Sequence, residues 1–153
     1  MDYKTLLRDM KANPGNYLLM PYIYTASVAS LAAAATATDV TNIESDSPFV
    51  WIKTAYFADI AGAAQTNDSR VIPLVNVQIV DSGSARQFFD EVQPINSFAG
   101  QAGLAAFETV PYLFKPNSSI NTTFTNFSAA TTYANLRLSY IGYRVYEYSQ
   151  SAV

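Results

Sequence analysis

Twelve carboxylates are the main candidates for acid–base chemistry in this chain of 153 residues, because it contains no histidine and no cysteine. Two positioned carboxylates suffice for glycoside hydrolysis, so their spacing matters. Asp90 and Glu91 are adjacent; in a strand they point to opposite faces and cannot act on one bond. Asp39, Glu44, Asp46 and Asp59 fall at the ends of predicted strands, where solvated acids are ordinary. Nothing in the spacing requires Asp90 or Glu91 to meet Glu108. Calcium needs only oxygen ligands, and the loop holding Glu44 and Asp46 supplies some, yet the D-x-[DN]-x-[DN]-G pattern is missing and the loop reads as a turn.

Nucleophilic chemistry is poorly provided for. A Ser-His-Asp triad is impossible without histidine, and neither G-x-S-x-G nor S-x-x-K occurs. Glycine-rich phosphate loops are absent too, so no nucleotide site is expected. The residues therefore predict no enzyme, no catalytic residue, no cofactor and no metal. Four acceptor tripeptides for N-glycosylation begin at Asn67, Asn117, Asn121 and Asn126. In a chain that opens without the apolar core of a signal peptide, they read as by-products of Asn/Ser/Thr-rich turns.

That leaves contact rather than chemistry. The chain has eleven tyrosines, nine phenylalanines and one tryptophan, Trp51. Tyrosines at 140, 143, 146 and 148 cluster near the C-terminus. Core packing claims at least half of these rings; the rest suit a subunit interface or a sugar platform. Charged residues make up 14% of the chain, and between residues 92 and 132 only Glu108 and Lys115 are charged. Such depletion is the mark of an interface core. The candidate interface residues are Leu6, Leu7, Tyr112, Leu113, Phe114, Tyr143 and Tyr146. A net charge of −3 with no basic cluster argues against nucleic acid as a partner. The longest weakly apolar run, residues 26–37, is too short to span a bilayer. The expectation is a protein made in the cytoplasm, with no membrane partner.

The elements that must position these side chains are mostly strands. Residues 3–10 predict a short helix with Leu6, Leu7 and Met10 on one side, stopped by Asn13, Pro14, Gly15 and Asn16. Residues 1–16 then form either an N-terminal arm or a frayed terminus, and residues 17–153 a single sandwich domain. Residues 17–31 read as strand interrupted at Pro21. The four alanines at 32–35 read as a hairpin connection in preference to a helix, leading to a strand at 36–44. Residues 49–58 are apolar on both alternating faces, Phe49, Trp51 and Phe57 on one, Val50, Ile52 and Tyr56 on the other, which predicts a central strand.

Residues 62–70 predict a polar loop. In residues 71–80, Val75, Val77 and Ile79 alternate with Asn76 and Gln78, and residues 81–84 form a turn. Residues 86–91 predict a short strand and residues 96–104 a connection. Ile120, Thr122 and Phe124 share one face, as do Leu136, Leu138 and Tyr140. Gly142 predicts a bulge, after which Ile141, Tyr143 and Val145 take the inward role. Seven or eight short strands between turn signals predict an all-β, antiparallel β-sandwich, with a jelly roll the favoured topology.

Several stretches resemble structural proteins of tailed bacteriophages, the capsid decoration or cement proteins and related neck components. They are SLAAAATATD at 30–39, IESDSPFVW at 43–51, VQIVDSGSARQ at 77–87, VPYLFKPNSSINTTFTN at 110–126 and LRLSYIGYRV at 136–145. The resemblance implies a virion protein without enzymatic role, a homo-oligomer (dimer or trimer) that binds the major capsid protein or other virion proteins and stabilises the head. The alternative is a carbohydrate- or receptor-binding β-sandwich of a neck, collar or tail, with Tyr143 and Tyr146 in a sugar platform. The first sixteen residues have no counterpart in the resemblance.

Overall fold

A computed structural model describes residues 1–61, 70–101 and 111–148. Its strands are β1 (Tyr17–Leu31), β2 (Thr36–Asn42), β3 (Phe49–Ile60), β4 (Val75–Asp81), β5 (Arg86–Gln87), β6 (Gln93–Pro94), β7 (Tyr112–Phe114), β8 (Ser119–Asn126) and β9 (Tyr133–Glu147). Two helices, α1 (Tyr3–Ala12) and α2 (Ile95–Phe98), and a 3₁₀ turn at Pro14–Asn16 complete it. The loop expected at 62–70 and the end of the connection expected at 96–104 lie largely outside the described residues, as does Glu108.

Two antiparallel sheets pack face to face, one ordered β1-β9-β3-β7 and the other β2-β8-β4-β5 with β6 beside β4. The pairing runs from the outside of the sequence inwards. β1 pairs with β9, β2 with β8, β3 with β7 and β4 with β5, every pair antiparallel. A long folded ribbon wrapped into two sheets in this way is a jelly roll, as expected.

The core follows from period-two alternation. Val75, Val77 and Ile79 of β4, Ile120, Thr122 and Phe124 of β8, and Leu136, Leu138 and Tyr140 of β9 are all fully buried. Each large apolar side chain so placed contributes about 1.5–3 kcal/mol. Two of these residues are polar and satisfy each other: the Thr122 and Tyr140 hydroxyls share a hydrogen bond of 2.6 Å. Burial pushes the Tyr140 phenol far above its ordinary range.

Five sequence expectations are modified. β1 continues through Pro21, because it is an edge strand with β9 as its sheet neighbour and half of its amides face away from the ladder. The alanine segment does connect β1 to β2, but the two strands belong to different sheets, so it arches across the sandwich instead of closing a hairpin within one sheet. Residues 86–91 pair only over Arg86–Gln87, and residues 95–98 form one helical turn.

The fifth change concerns the bulge. It lies on β3, where the register with β9 shifts between Trp51 and Lys53, and not on β9 at Gly142. The extra residue inverts the alternation of β3, so Tyr56 joins Phe49 and Trp51 in the core and Phe57 turns outwards. β9 keeps an unbroken register with β1. Ile141, Tyr143 and Val145 therefore stay on the outer face, and Val145 is buried only because α1 covers it.

Helix α1 is capped by Asp2, whose carboxylate accepts from Thr5 N–H at 2.7 Å. Its Leu6 packs on Val50, Leu113 and Val145, one residue each from β3, β7 and β9. The helix is tied again where the Tyr17 hydroxyl donates to the Asp9 carboxylate. That bond, together with burial, pushes the Tyr17 phenol from 10 up to about 12. A raised phenol pKa means that the neutral form is favoured by folding, so the contribution is complete below pH 10 and lost as pH rises through about 12. The expected result is a loosening of α1 across that window, read as amide exchange of residues 5–12. Tyr17→Phe should remove that pH dependence; an unchanged profile in the variant would contradict this role.

Candidate functional site

Among the described residues the carboxylates do not assemble. Asp90 caps the Glu91 amide, Asp39 accepts from Ser27 N–H, and Asp46 pairs with Arg144. Asp59 accepts from the Asn135 side chain and Asp81 is held in its own turn. Among the described residues no three carboxylates gather as a metal site would need, and Asp46 of the 44–46 loop is committed to Arg144 and Ser47. No helix among these residues is long and apolar enough to cross a membrane.

The structure divides the expected interface residues. Leu6 (2% exposed), Leu113 (9%) and Phe114 (0%) are taken up inside the protein and cannot meet a partner in this conformation. For Leu6 and Leu113 the reason is α1 lying on the outer face of its sheet; Phe114 faces the core between Phe49 and Trp51. Leu7, next to Leu6 on α1, is half-buried. Tyr143 is exposed, whereas Tyr146 lies half-buried with the Arg144 guanidinium 5.3 Å from its ring centre. Residues 143 and 146 differ in parity along a regular strand, so they occupy opposite faces and cannot form one sugar platform.

Among the described residues two surfaces stand out. The first is an apolar ledge on the outer face of the β1–β9 pair. Register places Leu19 opposite Val145, Pro21 opposite Tyr143 and Ile23 opposite Ile141. Leu19, Ile23 and Tyr143 are 44%, 56% and 38% exposed, directly beside the area that α1 covers. Leu18 and Met20, also exposed, extend the apolar border on the other parity. No residue between Lys11 and Asp39 is charged, and that gap is the sequence signal that marks this ledge.

The strand edge beside the ledge is blunted. Ser27 N–H donates to Asp39 at 2.9 Å and Thr25 C=O accepts from Thr41 at 3.4 Å, so odd-numbered residues of β1 direct their amides away from β9. Leu19 and Ile23 then present N–H groups to the open edge, and Pro21 between them has none. Such a gap opposes sheet-to-sheet pairing and leaves the side-chain face as the usable surface.

The second surface is a groove of about 840 Å³ at the opposite edge, between the start of α1, β7 and the β4–β5 turn. Tyr112, Phe88, Arg86 and Lys115 line it, with Trp51 at its base. Tyr112 is positioned by Asp81, whose buried carboxylate accepts from the Tyr112 hydroxyl at 2.7 Å, Ser84 Oγ at 2.7 Å and Gly83 N–H at 2.9 Å. Burial, reinforced by Asp81, raises the Tyr112 phenol, which stays neutral and donating. Phe88 stands edge-on to Tyr112 at 4.7 Å and to Trp51 at 5.3 Å. Sequence reading singled out Tyr112 but missed Arg86 and Phe88, since only the fold brings β5 against β7.

No family model matches the chain, and no curated protein matches it. Among solved structures, it is similar to a β-porphyranase of glycoside hydrolase family 86 from the human gut bacterium Bacteroides plebeius. Identity is 14% over 82% of this chain, with a TM-score of 0.33. The match spans 21% of that enzyme's length. Likeness at this level transfers neither activity nor ligand.

Proposed function

We propose that the chain is a non-enzymatic structural component of a phage virion, a capsid-decoration protein that seats its β1–β9 ledge on the coat lattice and stabilises the head. The observation that carries this reading is the ledge itself: Leu19, Pro21 and Ile23 exposed on the charge-free strand β1, with Tyr143 of β9 exposed beside them. The phage resemblance of residues 30–145 supplies the partner. Stable pairwise interfaces take about 20–30 residues per side, far more than this ledge offers. A small contact suits a lattice, where an oligomer engages several sites at once and avidity multiplies weak binding by about 10²–10⁴.

Leu19→Glu combined with Ile23→Glu places two charges on the ledge without touching the core. The expected outcome is an unchanged melting temperature and at least a tenfold loss of occupancy on purified particles. Full occupancy of the double variant would overturn the assignment of this face. Failure of the unaltered protein to bind any particle would overturn the virion reading.

A further inference from the structure

The geometry points to a second binding site, for an acidic oligosaccharide, in the groove between Phe88, Tyr112, Arg86 and Lys115. It is independent of the ledge, lying at the β7 edge of a sheet whose other edge is β1. The volume, about 840 Å³, falls in the range of ligand pockets. Two half-buried aromatic rings, Phe88 and Tyr112, meet at an interplanar angle of 84° and make an apolar corner against which the C–H face of a sugar ring packs.

Charge selects among ring-bearing ligands. The chain as a whole carries −3, yet the groove gathers Lys4, Arg86 and Lys115 against Asp2 and Asp81. Both acids are already engaged, Asp2 on the Thr5 amide and Asp81 by its three donors. Arg86 lies over the Tyr112 ring, 5.6 Å from its centre, and neither it nor Lys115 pairs with a carboxylate among the described residues. Stacking holds the guanidinium while leaving its N–H fork open, the geometry that takes a carboxylate in two bonds. A nucleotide fits less well. Phosphates call for a cradle of backbone amides, and the neighbouring Gly83 N–H is committed to Asp81.

The single tryptophan gives the test a direct signal, because Trp51 borders the groove and touches Phe88 edge-on. Trigalacturonate titrated into the intact protein should change Trp51 emission saturably, with matching heat by calorimetry. The neutral galactose trisaccharide should bind at least tenfold more weakly, and Arg86→Ala with Lys115→Ala should weaken trigalacturonate by at least tenfold. Both substituted side chains are exposed, so the variant folds. No emission change and no heat at millimolar trigalacturonate would overturn the site. Equal binding of the neutral sugar would overturn the charge selection, and displacement by sulfate as effective as by the trisaccharide would reduce the groove to a plain anion site. None of these outcomes depends on particle binding, so the ledge assignment stands or falls separately.

Discussion

Gly142→Ala is expected to be among the most damaging single changes in this protein. Gly142 lies on β9 opposite Trp51, where the β3 bulge drives one backbone against the other. A Cβ at this position would sit 1.8 Å from the Val50 carbonyl oxygen, 2.9 Å from its carbon and 3.1 Å from the Phe49 ring. The first two obstacles are backbone, in the middle of the sheet, and neither can rotate away. Relieving the clash means separating β3 from β9 or undoing the bulge that directs Tyr56 into the core. Overpacking of a tight interior costs typically 1–3 kcal/mol and more where the backbone itself must move, so about 3 kcal/mol or more is expected. Against a net stability of about 5–15 kcal/mol, that is a large share. Thermal unfolding should show a fall of about 10 °C, or no folded protein at all. Gly15→Ala is the matched control, since nothing lies within 4 Å of its added Cβ. A Gly142→Ala protein as stable as that control would refute the close approach.

Asn126 should be nearly as sensitive, for a polar reason. Its buried side-chain amide donates to three carbonyls, Leu31 at 3.2 Å, Ala32 at 3.0 Å and Thr131 at 2.8 Å. Its Oδ1 accepts from Ser128 N–H at 2.9 Å, which fixes the orientation of the amide. One side chain thus joins the arch between β1 and β2 to the loop between β8 and β9. Asn126→Ala leaves those carbonyls without this donor, at about 1–3 kcal/mol for each buried group left unpaired.

Asn126→Asp should be worse at neutral pH, because it sets a carboxylate against three carbonyl oxygens; an unpaired buried charge costs about 3–5 kcal/mol. The fold then disfavours the charged form and raises the pKa of the new carboxyl. Folded protein binds the proton more tightly than unfolded protein does, so stability recovers as pH falls from neutral towards about 5. Urea midpoints measured across that range should converge on the unaltered protein for Asn126→Asp and stay displaced for Asn126→Ala. Parallel behaviour of the two variants would show that the amide does not face the carbonyls.

The candidate surfaces illustrate how far local pattern reaches. Leu6, Leu113 and Tyr143 are all apolar residues in charge-poor or amphipathic settings, and nothing local separates them. One non-local event does: α1 folds back over β3, β7 and the end of β9, burying Leu6 and Leu113 and leaving Tyr143 in the open. The groove is similar. Tyr112 and Arg86 are 26 positions apart in the chain, yet the guanidinium rests on the ring because β5 and β7 close the same edge of the sandwich. Tyr143 and Tyr146, by contrast, are separated by simple strand parity, which is legible from spacing once the strand is known to be regular.

By itself, the amino-acid sequence determined that this is an all-β protein without a histidine or cysteine to support catalysis, and it determined the inward faces of β4, β8 and the first part of β9. Those properties depend on composition and on period-two alternation, both local. Only the tertiary structure decided the order of the strands, the inversion of β3 at its bulge, the passage of the alanine arch between sheets, and which apolar residues are core and which are surface. Each of these depends on what a strand meets across the sandwich. Alternation says which side chains share a face, but a face becomes interior only when a second element, distant in the chain, comes to cover it.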